Sequence, residues 1–147
     1  MKISFRKAID SDNEILRSIL LSQHLPVESI GTGVTDFYIG SENGAIVGIG
    51  GFEYYGDDVL LRSVAVPTNL QSRGIGSQIV DWMLDVATQK GFKRVFLLTE
   101  TASAFFAKKG FTIINRSLIT NNALKKSTQF SGGCCNSATC MSKLLAK

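Results

Sequence analysis

A glycine-containing heptapeptide has residue types and a spacing suited to binding phosphate: Gln71-Ser72-Arg73-Gly74-Ile75-Gly76-Ser77. Glycines beside the start of a helix let successive backbone N–H groups converge without obstruction from side chains. The helix dipole attracts an anionic group by about 0.3–1 kcal/mol, and Arg73 adds a full positive charge. This loop is therefore predicted to bind a diphosphate.

Other interpretations of the loop compete with this one. A Rossmann dinucleotide fingerprint would need Gly or Ala at the position of Ile79. A P-loop would need a lysine before its Ser/Thr, and Gly76-Ser77-Gln78 has none, which excludes it. On these residues alone, a helix merely started by glycines stays open.

Hydrophobic patterning predicts the elements that position the loop. Alternating or continuous apolar runs predict strands over 2–8, 37–41, 45–53, 59–66, 94–99, 111–116 and 138–144. Apolar stripes predict helices over 11–22, 74–90 and 101–109, the first capped by Asp10 or Ser11 and with apolar positions Ile15, Ile19 and Leu20. Residues 117–137 show no clear period. This order predicts an α/β (α+β) fold with a mixed sheet and a parallel pair, whose ligands bind beyond the carboxyl ends of the strands.

Composition limits the class of protein. The 147 residues, 44% hydrophobic and 19% charged, are typical of one globular domain, which we expect to span residues 1–147. The net charge of +4 is spread along the chain, so a nucleic-acid surface is not indicated, whereas a small polyanionic ligand is compatible with it. The sequence contains no run of roughly 20 apolar residues, and residues 1–10 alternate in polarity, so we expect no signal peptide. We therefore expect a cytoplasmic protein that does not bind membranes.

Three cysteines, Cys134, Cys135 and Cys140, cluster near the C-terminus. An odd, clustered set does not form a disulfide framework. His24 is the only histidine and a fourth zinc ligand is not nearby, so no metal site is predicted. Two interpretations stay open: the thiolates bind a thiophilic metalloid, or Cys140 is a small buried hydrophobe on the last strand.

Together with the order of elements, these motifs resemble the GNAT superfamily of acetyl-CoA-dependent N-acyltransferases. Its pyrophosphate loop has the form Gln/Arg-x-x-Gly-x-Gly/Ala, which is fitted here by Gln71, Arg73, Gly74 and Gly76. Its second cofactor segment is similar to Ala102, Phe105, Lys108, Gly110 and Phe111. The resemblance covers residues 2–116. It implies a mostly antiparallel central sheet of six or seven strands flanked by about four helices.

Within that superfamily the chain looks closest to the arsenic-resistance-associated N-acetyltransferases. The segments behind this narrower resemblance are LLRSVAV at 60–66, LLTETA at 97–102, Phe105-Phe106, Gly110-Phe111, and the tail Thr128-Gln129-Phe130 with 134–141. The cysteine-proline pair usual in that tail is Cys135-Asn136 here. An arsenical acceptor follows from the resemblance by analogy.

The resemblance implies a role for each candidate residue. The backbone N–H of Val64 would polarise the thioester carbonyl, which makes Val64 a predicted catalytic residue, and Val66 would bond the pantetheine arm of acetyl-CoA. The predicted cofactor-binding residues are Val64, Ala65, Val66, Gln71, Ser72, Arg73, Gly74, Ile75, Gly76, Ser77, Thr99, Ala102 and Phe105.

The general base and the general acid are absent from their usual places. Relatives often carry a glutamate where this chain has Leu60, so Glu53 is the predicted base, acting directly or through a water. Relatives often carry a tyrosine where Phe106 stands. Tyr54, Tyr55 or water would then protonate the departing thiolate, whose pKa is near 8.5.

The pKa of the acceptor amine bears on the substrate class. An ε-amine of pKa about 10.4 is neutral at pH 7 only about once in 2,500 molecules, which costs about 4.6 kcal/mol, whereas an α-amine near 8 costs about 1.4 kcal/mol. A site without an obvious strong base favours a small amino acid or amino-acid-like amine. Arg62, Ser63 and Arg116 are the predicted substrate residues, the arginines pairing with a carboxylate or oxyanion.

These residues together predict an acetyl-CoA-dependent N-acetyltransferase that acts on the amine of a small molecule, by direct transfer in a ternary complex. A non-catalytic acyl-CoA sensor is the alternative, because Leu60 and Phe106 stand where relatives carry acid–base residues. A metalloid-binding protein using the C-terminal cysteines is a third. The resemblance is also compatible with a homodimer.

Overall fold

The computed structural model describes residues 2–126 and 138–145. Its strands are β1 (Ser4–Lys7), β2 (Asp36–Glu42), β3 (Ala45–Tyr55), β4 (Asp58–Ala65), β5 (Arg94–Thr99), β6 (Thr112–Ile113) and β7 (Thr139–Leu144). Its α-helices are α1 (Asn13–Ser22), α2 (Ile75–Gln89), α3 (Ser103–Lys108) and α4 (Asn122–Lys125). The sheet has the order β1-β2-β3-β4-β5-β7-β6; β4 pairs with β5 in parallel, and β1–β2, β2–β3, β5–β7 and β6–β7 are antiparallel. This confirms the predicted mixed, mostly antiparallel sheet with four helices.

Contacts divide the chain into two units, each described by itself. The first unit comprises Met1–Glu53 and Leu61–Leu84, and the second comprises Tyr54–Leu60 and Asp85–Lys147. The single domain expected over 1–147 stays a prediction.

Helix α1 packs on one face of the first unit's strands. Leu16, Ile19 and Leu20 are buried against Phe37, Ile39 and Ile49, because positions three and four apart share a helix face. The predicted apolar position Ile15 was the wrong choice, since it is 39% exposed while Leu16 is 1% exposed.

Helix α2 packs closely on strand β3 because two glycines make room for it. A Cβ built on Gly48 would overlap Ile79, and one built on Gly50 would overlap Met83. Both positions lie on one face of the strand, since side chains alternate between faces. These contacts fix the axis of α2, and with it the loop that precedes the helix.

The second unit has its own apolar core: Leu60, Phe96, Ile119, Leu124 and Cys140. Cys140 is therefore a buried hydrophobe on β7, and burial raises the pKa of its thiol to about 11. Cys134 and Cys135 lie outside the described residues. In residues 2–126 and 138–145, no group of three or more His, Cys, Asp or Glu is placed to hold a metal ion.

The predicted strand over 111–116 was too long. Strand β6 ends at Ile113, and the Asn115 side chain accepts a hydrogen bond from the Ser117 N–H at 2.9 Å, which starts a 3₁₀ turn at Arg116–Leu118. Helix α4 was not predicted. It begins after Asn121, whose side chain caps it by accepting from the Leu124 N–H at 3.1 Å.

Within the described ranges no helix is long and apolar enough to span a bilayer.

The entry to α1 is held by Asp12 rather than by the predicted caps Asp10 or Ser11. Both carboxylate oxygens of Asp12 accept from the Arg6 guanidinium, at 2.8 and 2.9 Å, and one also accepts from the Ile9 N–H at 2.8 Å. The Arg6 bonds, followed by the Ile9 bond, lower the pKa of Asp12 to about 2.

We expect Asp12→Asn to lower the free energy of unfolding at pH 7 by roughly 0.5–2 kcal/mol. The folded-state pKa of about 2 lies below the roughly 3.9 of an unfolded aspartate. The contribution of Asp12 is therefore present above about pH 4 and is lost as the pH falls from about 4 to 2. Thermal melts across this range check it: the variant should lose less stability there than the wild type, while the exposed neighbour Asp10→Asn should follow the wild type.

Candidate active site

The carboxyl-terminal half of β4 and the residue after it carry the residues predicted to bind the thioester carbonyl and the pantetheine arm. Val64 and Val66 are half-buried, whereas Ala65 between them is buried in the core of the first unit, so only its backbone is available to a ligand. Ser63, directly before them, has a φ of +60° within the strand. This left-handed conformation is rare for a residue other than glycine and changes the direction of the chain just before Val64.

The glycine loop has the backbone geometry of an anion site. Residues 71–74 are exposed, and Ser72 and Gly74 have φ values of +68° and +79°. Left-handed residues alternating along a loop turn successive N–H groups toward one side, and α2 begins at the next residue with 15 residues of helix dipole behind it. Among the described residues, an added Cβ at Gly76 would meet only Val66, at 3.9 Å, which leaves room beside the first turn of α2.

Hydrogen bonds donated by the Gln71 side chain hold the start of the glycine loop in place. Its side-chain amide donates to the Val66 carbonyl at 3.0 Å and to the Gln23 side chain at 2.7 Å. Gln23 in turn donates to Thr68 at 3.3 Å. Gln71 thus ties the loop to the end of β4 and to the end of α1. Gln23 was missed at the sequence level, because nothing in its local pattern marks a partner 48 residues away.

The remaining loop residues divide by exposure. Arg73 is exposed, which leaves its charge available to an anion, and Ser77 is half-buried. Ile75 is 2% exposed, so its side chain belongs to the core and only its backbone lines the loop. A diphosphate bound here would be held mainly by backbone N–H groups, with Arg73 adding charge.

The predicted second cofactor segment lies in the second unit. The Thr99 hydroxyl accepts a hydrogen bond from the Ala102 N–H at 3.0 Å, which shapes the turn into α3. Phe105 is half-buried, with its ring 5.0 Å from that of Phe106, which packs in turn on Phe111. Phe106 is 9% exposed, so the phenylalanine that stands in place of a tyrosine is a core residue.

The predicted base and one predicted substrate residue are bonded to each other. Glu53 is 1% exposed and accepts from the Arg62 guanidinium and from the Thr35 hydroxyl, the latter at 3.1 Å. The Arg62 side chain is 3% exposed. Thr35 was not predicted from the sequence, because it lies at the end of a loop and its contact with Glu53 on β3 forms only in the folded protein.

The other candidates lie in the second unit. Arg116 lies in the 3₁₀ turn rather than on the predicted strand. Its guanidinium donates a hydrogen bond to the Ala138 carbonyl at 2.7 Å. Tyr54 stacks on Phe92 with ring centroids 5.2 Å apart, and Leu60 is fully buried.

A family model described as an acetyltransferase (GNAT) domain matches residues 34–113. The match includes β4, the glycine loop and the second segment, and extends over more than half of the chain. The chain belongs to the GNAT acetyltransferase family. This confirms the predicted N-acetyltransferase class, whereas the arsenic-resistance group stays a prediction.

Two protein sequences are similar to parts of the chain. An amino-acid acetyltransferase of Mycobacterium tuberculosis is 40% identical over 78 residues, which make up 52% of this chain and 44% of that protein. An uncharacterized N-acetyltransferase of Chlorobaculum tepidum is 30% identical over 91 residues, 61% of this chain and 58% of that protein. The matched region spans about half the length of these relatives.

Solved structures share the fold. The Mycobacterium tuberculosis protein Rv2747, in complex with CoA and a second ligand, has a TM-score of 0.81 at 25% identity, over 97% of this chain and 99% of that one. N-acetylglutamate synthase of Neisseria gonorrhoeae, complexed with CoA and N-acetyl-glutamate, has a TM-score of 0.84 at 20% identity, over 100% of this chain and 36% of that one.

We expect Thr35→Val to lower the free energy of unfolding by about 1–2 kcal/mol, because it removes a donor from the buried Glu53 carboxylate while keeping the side chain's shape. Urea denaturation at pH 7 measures this. Exposed Thr101, changed to Val in the same way, should leave the midpoint of unfolding within error. An equal effect of the two substitutions would contradict a role for Thr35 in holding the carboxylate.

Proposed function

We propose that this protein transfers an acetyl group from acetyl-CoA to the α-amine of a small amino-acid-like acceptor, in a ternary complex of enzyme, cofactor and acceptor. The observation that carries the proposal is the glycine loop, with two exposed left-handed residues immediately before a 15-residue helix. Membership of the GNAT family and the CoA named in two similar structures support the same cofactor.

The first unit carries the residues proposed to hold the pyrophosphate and the pantetheine arm of acetyl-CoA. The loop 71–77 would bind the pyrophosphate through its N–H groups and Arg73, and the backbone of 64–66 would bind the pantetheine arm. Thr99, Ala102 and Phe105 are proposed as further contacts. The fit is supported by the exposure of 71–74 and by the open space beside Gly76.

The proposed acetyl transfer requires few side-chain groups of the enzyme. The free amine attacks the thioester carbonyl, a C–N bond forms, and the C–S bond breaks as CoA leaves as a thiolate. The amine loses one proton and the thiolate gains one, both exchanged with water. The Val64 N–H would donate to the carbonyl oxygen as negative charge develops there.

An α-amine acceptor agrees with these features. Freeing an α-amine of its proton at pH 7 costs about 1.4 kcal/mol, against about 4.6 for an ε-amine, so an α-amine can react without a strong base. The names of two similar proteins, an amino-acid acetyltransferase and N-acetylglutamate synthase, point to the same class. An amino-acid-like arsenical belongs to that class and is the acceptor that the narrower resemblance predicts.

Calorimetric titration of CoA and acetyl-CoA comes first, followed by thiol release against amino acids, amino-acid-like arsenicals and polyamines. Binding with thiol release for an α-amine acceptor supports the proposal. Binding with no release for any acceptor would favour the acyl-CoA sensor. Absence of binding would contradict the role assigned to the glycine loop.

We expect Gly74→Ala to weaken CoA binding about 5- to 30-fold, because the free loop of the variant relaxes and regaining a φ of +79° on binding costs alanine about 1–2 kcal/mol. Gly91, at the other end of α2, has a φ of +85°, and a Cβ at either position meets no described atom within 4 Å. Gly91→Ala is thus the matched control. Only Gly74→Ala should bind CoA more weakly, and Gly91→Ala should bind CoA like the wild type.

The pH dependence of the rate should follow the acceptor. With amine protons lost to water, kcat/KM rises about tenfold per pH unit below the acceptor's own pKa and levels above it. Two acceptors whose amines differ by about one pKa unit should give profiles displaced by that amount. Profiles that coincide would show that a group of the enzyme controls the step.

A further inference from the structure

Four residues of the first unit form a buried polar network, hereafter the Glu53 network: Thr35, Glu53, Arg62 and Ser63. Glu53 accepts from Thr35 at 3.1 Å and from one Nη of Arg62, while the Nε–H of Arg62 donates to the Ser63 hydroxyl at 3.2 Å. The side chains of Glu53 and Arg62 are 1% and 3% exposed. A charge pair so far from water needs its hydrogen bonds, because an unpaired buried charge costs several kcal/mol.

The packing around the network is equally close. A Cβ on Gly51 would lie 2.9 Å from the Thr35 methyl group and 3.4 Å from the Arg62 carbonyl oxygen. Gly51 and Glu53 share one face of β3, since side chains two apart point the same way. The absence of a side chain at Gly51 therefore lets Thr35 and β4 approach the carboxylate.

One end of the network reaches the backbone next to the proposed thioester site. Ser63 holds a φ of +60°, a conformation that costs a residue other than glycine about 1–3 kcal/mol and persists where its surroundings impose it. The hydrogen bond from Arg62 is one such restraint. Ser63 directly precedes Val64, so the backbone conformation of Ser63, of which this φ is one part, orients the peptide plane that carries the Val64 N–H.

We propose that Arg62 is a positioning residue that holds Ser63 in its left-handed conformation, and that Glu53 is its buried counter-ion rather than the general base. The proposal rests on the acetyl transfer proposed above and deepens it. It replaces two expectations from the sequence: Glu53 as proton acceptor for the amine, and Arg62 as partner of a substrate carboxylate. Both side chains are occupied with each other and shielded from solvent.

The first test compares Arg62→Lys with Arg17→Lys, the same change at an exposed position of α1. Lysine keeps the charge but cannot bond Glu53 and Ser63 with one planar fork. We expect Arg62→Lys to lower kcat about 10- to 100-fold, the scale of a small misplacement of reacting groups, with the acetyl-CoA Kd within about twofold. Arg17→Lys should match the wild type.

Rescue separates positioning from general structural damage. Glycine adopts a positive φ without a holding bond, so Ser63→Gly in the Arg62→Lys background should recover most of the lost kcat. Ser63→Ala in the same background keeps the strain and should recover none. Equal behaviour of these two double variants would overturn the proposal.

Glu53→Gln tests the role of the carboxylate. A counter-ion predicts lower kcat and a pH–rate profile that still follows the acceptor's own pKa, whereas a general base predicts that the wild type has an additional acidic limb, independent of the acceptor, which Glu53→Gln removes. Loss of that limb would overturn the proposal for Glu53.

The amide chemical shifts supply a readout independent of turnover. Arg62→Lys should displace the Val64 amide resonance and leave the resonances of the α2 amides unchanged. An unchanged Val64 resonance would overturn the proposal. If the wild type releases no thiol with any acceptor, the proposed function fails, and this measurement still decides whether Arg62 holds Ser63.

Discussion

Strand β3 must admit close neighbours on both of its faces, and the first unit depends on that constraint. Gly48 and Gly50 leave room on one face for α2, while Gly51 leaves room on the other for Thr35. A side chain at any of the three would need its neighbours to move, and interiors packed at crystal-like density resist that. The position of α2 on one face of β3 sets the position of the glycine loop that precedes the helix. The Glu53 network lies on the opposite face of β3.

Backbone groups, rather than side chains, supply most of the proposed chemistry. The loop 71–77 is proposed to present N–H groups to a diphosphate, and the N–H of Val64 to bind the developing oxyanion. Such a site tolerates Phe106 and Leu60 where relatives carry ionisable residues, because the C–S bond of a thioester breaks to give a readily leaving thiolate. Both residues instead serve the core of the second unit.

Most helices and strands could be predicted from the pattern of apolar residues. A long apolar stripe is buried only by a helix, and a clear alternation of apolar and polar residues is buried only by a strand. The bounds of β5 at Arg94–Thr99 show this well. The errors came where the pattern is short and polar side chains decide. Asn115 ends β6 early and Asn121 starts α4, and each does so through one side-chain hydrogen bond that hydrophobic periodicity does not register.

The amino-acid sequence by itself determined the glycine loop, the class of fold and the family, because these depend on local conformational preference and on the order of elements. Only the tertiary structure decided which groups the charged candidates contact. Glu53 and Arg62 are nine residues apart, and the sequence predicted a general base for the first and a substrate ligand for the second. The pairing of β3 with β4 buries the two side chains together. A buried charged side chain pairs with whichever opposite charge the fold places beside it, because water is no longer present to solvate the charge.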